Sequence, residues 1–131
     1  MSEENVEVVR GIVRAFRAAE WDAALSAYAT DAELDLSRMP GGGIYHGPAG
    51  VREFYTGWIQ SWERFEAEPL EFIEAGDEVI SVMQISGIGK DSGVPVAMRP
   101  ADVYTLDGGK VVRQVGYPDA SDALEAAGLS E

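Results

Sequence analysis

Near residue 65 the apolar residues of this chain change their spacing, and few folds accommodate the change. Val51, Phe54, Trp58, Trp62 and Phe65 recur at intervals of three and four, which places them in one stripe along a helix. From Glu66 onward the interval becomes two, as expected for strands. Helices followed by a run of strands make an α+β chain, not the βαβ alternation of a nucleotide-binding sheet.

The remaining elements fit that frame. Residues 3–19 read as a helix, with Ser2 as its cap, Glu3 and Glu4 at its positive end, and Val6, Val9, Val13 and Phe16 at helical spacing. A short second helix is expected over Trp21–Tyr28 and a strand over Ala32–Leu36. Pro40-Gly41-Gly42-Gly43 is a loop and a candidate lip over a cavity. Gly47-Pro48 opens the third helix, where proline's missing N–H costs nothing. Strands are expected over Glu66–Glu74, Val79–Gly87, Val94–Leu106 and Lys110–Tyr117. Pro69 puts the first of these at a sheet edge, and Asp107-Gly108-Gly109 marks a tight hairpin. Asp119 caps a last helix, Ala120–Ala127, closed by Gly128. A curved antiparallel sheet wrapped around the oily stripe would bury most apolar residues and leave a cavity between sheet and helices.

Composition works by subtraction. At 131 residues the chain is sized for one domain, 1–131. Ten basic residues against twenty-three acidic ones give a net charge of −13, which disfavours nucleic acid and anionic membrane as partners. With no cysteine there is no disulfide, thiolate nucleophile or sulfur-ligated metal. The single histidine, His46, excludes multi-histidine metal sites. The acidic start and the lack of a long apolar run set aside a signal peptide and a membrane helix, and a cytoplasmic location is expected. No dinucleotide fingerprint, His-Glu-x-x-His pair or nucleophile elbow occurs, and no cofactor is expected.

One residue breaks the pattern. Simple alternation puts Val96, Met98, Pro100, Asp102, Tyr104 and Leu106 on one strand face, apolar except for Asp102. A carboxylate among such neighbours loses water and its pKa rises, as a general acid or a neutral hydrogen-bond donor requires near pH 7. The bland reading is an aspartate satisfied by a buried hydroxyl, or a bulge that turns it to solvent. His46, before a helix start, is a candidate proton shuttle. Tyr104 and Gln114 are candidate ligand contacts, and Trp58, Trp62 and Met98 are candidate pocket walls. Asp31, Glu33 and Asp35 recur every second residue and read as a solvated edge rather than a cation site.

Four segments carry a resemblance: Glu20-Trp21-Asp22-Ala23-Ala24-Leu25, Tyr28-Ala29-Thr30-Asp31-Ala32, Tyr45 through Phe54, and Asp107-Gly108-Gly109-Lys110-Val111-Val112. In this order they resemble SnoaL-like proteins of the nuclear transport factor 2-like superfamily. The resemblance implies a cone-shaped α+β roll with a pocket, and a homodimer formed through the sheet. It implies relatives among polyketide cyclases, ketosteroid isomerases, limonene epoxide hydrolases and non-enzymatic binding modules. Asp102 matches the place where the isomerases keep a neutral aspartic acid, held protonated by its apolar surroundings. The matching positions for the isomerase tyrosine and base are Ile12 and Leu36, with Asp35 one residue off and so on the other face. The cyclase acid is missing from Gln114-Val115-Gly116-Tyr117, and Arg99 lies on the face opposite Asp102. Two readings therefore stand: a cavity for a small hydrophobic or carbonyl-bearing molecule with cofactor-free acid/base chemistry, and a non-catalytic binding or dimerisation module.

Overall fold

A computed structural model describes residues 2–128, with only the backbone of Ser2. The cap expected from the Ser2 side chain lies outside the described residues. The chain runs α1 (Ser2–Arg17), α2 (Trp21–Leu25), β1 (Tyr28–Asp35), β2 (Ile44–His46), α3 (Gly47–Gln60), β3 (Trp62–Ala75), β4 (Glu78–Gly89), β5 (Pro95–Met98), β6 (Ala101–Asp107), β7 (Lys110–Tyr117) and α4 (Ala120–Ala126). One seven-stranded sheet forms in the order β2-β1-β7-β6-β4-β3, with β5 also on β4. No helix is long and apolar enough to cross a membrane.

The concave face of the sheet holds the main core. Val9 and Ile12 of α1 and Val51 of α3 pack there against Leu34, Leu36, Val79, Tyr104, Leu106 and Val111, all nearly or fully buried. Part of the opposite face is covered too. Ile80, Val82, Ala101, Val103, Val115 and Tyr117 form a second core under Ala123 of α4. Asp119 caps α4 as expected, its Oδ1 accepting from the Ser121 N–H at 2.8 Å. The β6–β7 hairpin also forms where Gly108 and Gly109 place it, both at positive φ as a two-residue turn of this hand requires. Pro69 does lie on an edge strand, β3, beside a register shift.

Four expectations need correction. The third helix stops at Gln60, so Trp62 and Phe65 belong to β3. Pairing with β4 from Gly89 back to Gly87 wins over helical propensity there, and Trp62 still meets Trp58 because the strand leaves directly from the helix end. The strand expected over Val94–Leu106 is interrupted at Arg99-Pro100, since Pro100 has no N–H for the ladder. Its register on β4 continues across the gap, with Met98 opposite Ile85 and Ala101 opposite Val82. Tyr28 opens β1 instead of ending α2. Finally, the sheet is not wholly antiparallel: β1 and β7 run parallel, which is open to two strands with no hairpin between them.

Candidate functional site

Strand pairing builds the site from neighbours on the concave face. On β6, Asp102 lies opposite Ser81 of β4 and Gly116 of β7, and Tyr104 lies opposite Gln114 of β7. Asp102 and Gln114 are thus diagonal neighbours on one face, close enough to touch. Gly116 lets the Leu36 side chain pack closely on the strand. A Cβ there would come within 2.5 Å of Leu36 Cδ2.

Above this patch, the end of α1 and the inward side of α3 close a chamber of about 130 Å³. Its walls are mainly apolar (Val13, Phe16, Leu36, Phe54, Met83, Ile85), with Tyr55, Trp58, Tyr104 and Ser81 among them. Among the described residues, Asp102 is the only carboxylate and Arg17 the only cation in that lining. Arg17 Nε donates to the Ala67 carbonyl at 2.6 Å, which ties α1 to the edge strand β3 over the chamber.

Gln114, fully buried, organises the polar groups. Its Oε1 accepts from the Tyr28 hydroxyl at 2.5 Å. Its Nε2 donates to the Tyr55 hydroxyl at 3.1 Å and to Asp102 Oδ2. The acceptor-only Asp102 carboxylate fixes which end of the amide is nitrogen, so both amide hydrogens are committed. Tyr55 accepts from Gln114, which leaves its own O–H to donate elsewhere. Two hydrogen bonds from one nitrogen hold the Asp102 and Tyr55 oxygens within about 6 Å of each other.

Burial sets the proton affinities. Desolvation pushes the Asp102 carboxyl up to about 6, against the opposing pull of the Gln114 hydrogen bond. Burial likewise raises the Tyr55 phenol, with the Asp102 charge adding to it and the Gln114 bond opposing. Tyr104, hydrogen-bonded to Ser81, and Tyr28 are also raised, chiefly by burial. At neutral pH these phenols are therefore donors, not bases.

A second, open cleft of about 810 Å³ adjoins the chamber. It is lined by Tyr45, Phe54, Trp58, Trp62 and Met98, by the 39–42 loop and by Glu53. Among the described residues no group of three or more His, Asp or Glu side chains is arranged to hold a metal ion.

With this geometry in place, the chain can be compared with known proteins. The SnoaL-like domain profile matches residues 9–114, most of the chain. The chain belongs to the SnoaL-like family. Solved structures share its fold throughout. TerC, crystallised with polyporic acid, is 24% identical with a TM-score of 0.77, over 95% of this chain and 98% of its own. A nuclear transport factor 2-like protein of Burkholderia thailandensis is 23% identical, TM-score 0.80, covering 93% and 95%. A putative polyketide cyclase of Sinorhizobium meliloti is 21% identical, TM-score 0.67, covering 84% and 93%. At these identities the likeness shows the fold alone. A sequence search of curated proteins finds no match.

In this SnoaL-like protein the residues singled out from the sequence separate into groups. Asp102 and Tyr104 line the chamber, and Trp58 lines both chamber and cleft. Trp62 and Met98 line the outer cleft only, because the strand face carrying Asp102 passes out of the chamber on its way to Met98. Gln114 does not reach a cavity surface and lies behind Asp102 as its holder. His46 lines neither cavity. It is exposed on β2 opposite Glu33, at the far edge of the sheet. Ile12 is buried in the core and Leu36 faces the chamber, so neither isomerase partner position carries a polar group. Asp35 does point away from the chamber, but it is buried rather than solvated: Ser37, Arg38 and Arg113 cover it.

The sequence reading missed Tyr28, Tyr55, Ser81 and Arg17. Tyr55 carried a signal, since it stands four residues after Val51 and three before Trp58 and so borders the apolar stripe. Tyr28 carried none, because its partner Gln114 is 86 residues away.

Proposed function

We propose that the chamber binds a small, neutral, mostly apolar molecule bearing a carbonyl, and that Asp102 moves a proton on it without a cofactor. The observation that carries this reading is a single carboxylate, raised to about 6, facing an apolar chamber with a free phenolic O–H beside it. An apolar cavity of roughly 150 Å³ accommodates a benzene-sized ring, and this chamber is of that order.

At pH 7 a group of pKa 6 is roughly nine-tenths ionised, so Asp102 begins as a base. Among the described residues its hydrogen bond falls on Oδ2, which leaves Oδ1 to take a proton from the carbon beside the carbonyl. The C–H electron pair becomes the new carbon–carbon double bond while the carbonyl π pair moves onto oxygen, and Tyr55 donates a hydrogen bond to the enolate. Asp102, now neutral, returns the proton to the same carbon or to a conjugated one. No atom is gained or lost. Gln114 is a positioning residue that holds both partners. A homodimer through the sheet, as the resemblance implies, is the proposed assembly, and sedimentation at micromolar concentration tests it.

Deuterium exchange at the α-carbons of cyclohexanone, followed by NMR in D2O, tests the chemistry. Exchange faster than in buffer is expected, rising with pH through about 6 as Asp102 ionises. Asp102→Asn is expected to slow it by about 100-fold or more while cyclohexanone still binds. Equal exchange by parent and variant overturns the mechanism. Binding without exchange in the parent protein makes the chamber a binding module instead.

A further inference from the structure

Three residues line both the inner chamber and the outer cleft: Met39, Phe54 and Trp58. They form the partition between the two spaces. Two of them are held in a chain of rings along α3. Phe54 stands 5.5 Å from Tyr45 and 5.0 Å from Tyr55, and Trp58 stands 5.4 Å from Trp62, centroid to centroid.

Met39 differs. It sits on the connection between β1 and β2, and its backbone is pinned on both sides. Its N–H donates to the Leu36 carbonyl at 2.9 Å, and its carbonyl accepts from the Gly42 N–H at 2.9 Å. Gly42 backs so closely onto Leu36 that a Cβ would lie 1.9 Å from the Leu36 carbonyl oxygen. The neighbouring residues are tied down as well. Asp35 accepts from the Ser37 hydroxyl at 2.6 Å, and the Arg38 guanidinium stacks over Tyr117 at 5.0 Å. The frame is fixed, while the methionine side chain is unbranched with three rotatable bonds. The movable part of the partition is thus one thioether chain.

The two spaces also differ in what they suit. The inner one is ring-sized and holds Asp102. The outer one is larger, walled by Tyr45, Trp58 and Trp62, with Glu53 as its charged lining residue. Aromatic walls favour a flat ring, and Glu53 disfavours an anion.

We propose that the outer cleft is a second subsite, for a flat neutral ring, and that Met39 is the specificity-determining residue dividing it from the acid-bearing chamber. The ligand class is then two rings joined end to end: a carbonyl-bearing ring inside, and a second ring against Trp58 and Trp62. This rests on the reading of the chamber as a carbonyl site.

The test uses cyclohexanone and 4-phenylcyclohexanone as one- and two-ring probes, with dissociation constants from tryptophan fluorescence. Met39→Ala is expected to tighten the two-ring probe at least fivefold relative to the one-ring probe. Met39→Phe is expected to weaken the two-ring probe by a similar factor. Trp62→Leu, which alters only the outer cleft, is expected to weaken the two-ring probe alone. Circular dichroism checks that each variant is folded. Parallel shifts of both probes in the Met39 variants, or an unchanged two-ring affinity in Trp62→Leu, overturns the proposal. Cyclohexanone binding with no 4-phenylcyclohexanone binding in any variant overturns the subsite alone, and binding of neither probe also overturns the reading beneath it.

Discussion

Asp35 and Asp102 both show little surface to bulk solvent, Asp35 shallow beneath Ser37 and its arginines and Asp102 deep at the wall of the apolar chamber, and their proton affinities move in opposite directions. Asp35 accepts from the Ser37 N–H and hydroxyl and faces Arg113 and Arg38, so these bonds and charges hold it below the ordinary 3.8. Asp102 has one amide hydrogen bond and an apolar chamber, and desolvation raises it. Burial alone therefore does not make a reactive carboxylate. What matters is how much of the lost hydration the protein replaces. Two acids driven apart in this way identify the one fit for chemistry.

Changing the pH should separate the two acids. Because Asp102 is raised when folded, the unfolded chain ionises it first. Its contribution to stability therefore falls as pH rises from about 4 to 6, by a ceiling of about 3 kcal/mol for a rise from 3.8 to about 6. Asp102→Asn is expected to be more stable than the parent at pH 7 by up to that amount, with the gap closing near pH 4. Urea unfolding at the two pH values measures it, and a gap independent of pH contradicts the assignment.

Gln114→Leu should produce the next largest change. It strips Asp102 of its donor and leaves the buried Tyr28 hydroxyl without its acceptor, at a cost of about 1–3 kcal/mol. It should also raise the Asp102 carboxyl further, because the lost bond favoured the charged form. Carboxyl NMR titration separates that shift from simple unfolding.

Asp35→Asn should give the smallest effect and the opposite pH dependence. Asp35 is lowered when folded, so its contribution is present above the unfolded value and lost as pH falls through the folded one. The variant is expected to lose about 1–2 kcal/mol at pH 7 and to match the parent in strong acid. If its deficit persists in strong acid, where Asp35 is protonated in the folded chain too, the ion-pair account of Asp35 fails.

How much of this was legible in the sequence varied by residue. Asp102 stood out because alternation along a strand is local, and Pro100, Asp102 and Tyr104 keep that alternation in the chamber wall. Trp62 was assigned to the wrong element because it follows Trp58 by four residues, the helical interval, although sheet pairing claims it. The depth of Asp35 was hidden because its cover comes from Arg113, 78 residues away. The Gln114 cluster was hidden for the same reason. Its three partners come from β1, α3 and β6, and no local pattern joins them.

The parallel seam between β1 and β7 has a consequence for how the protein comes to be active. Gln114 arrives on the last strand, and the seam seats it opposite Leu34 of the first, where the Tyr28 hydroxyl reaches it. Contacts so distant in sequence form late. A ribosome-bound chain that has made Asp102 and Tyr55 but not yet Gln114 has these two groups without their clamp, which closes only when the first and last strands of the chain, β1 and β7, pair.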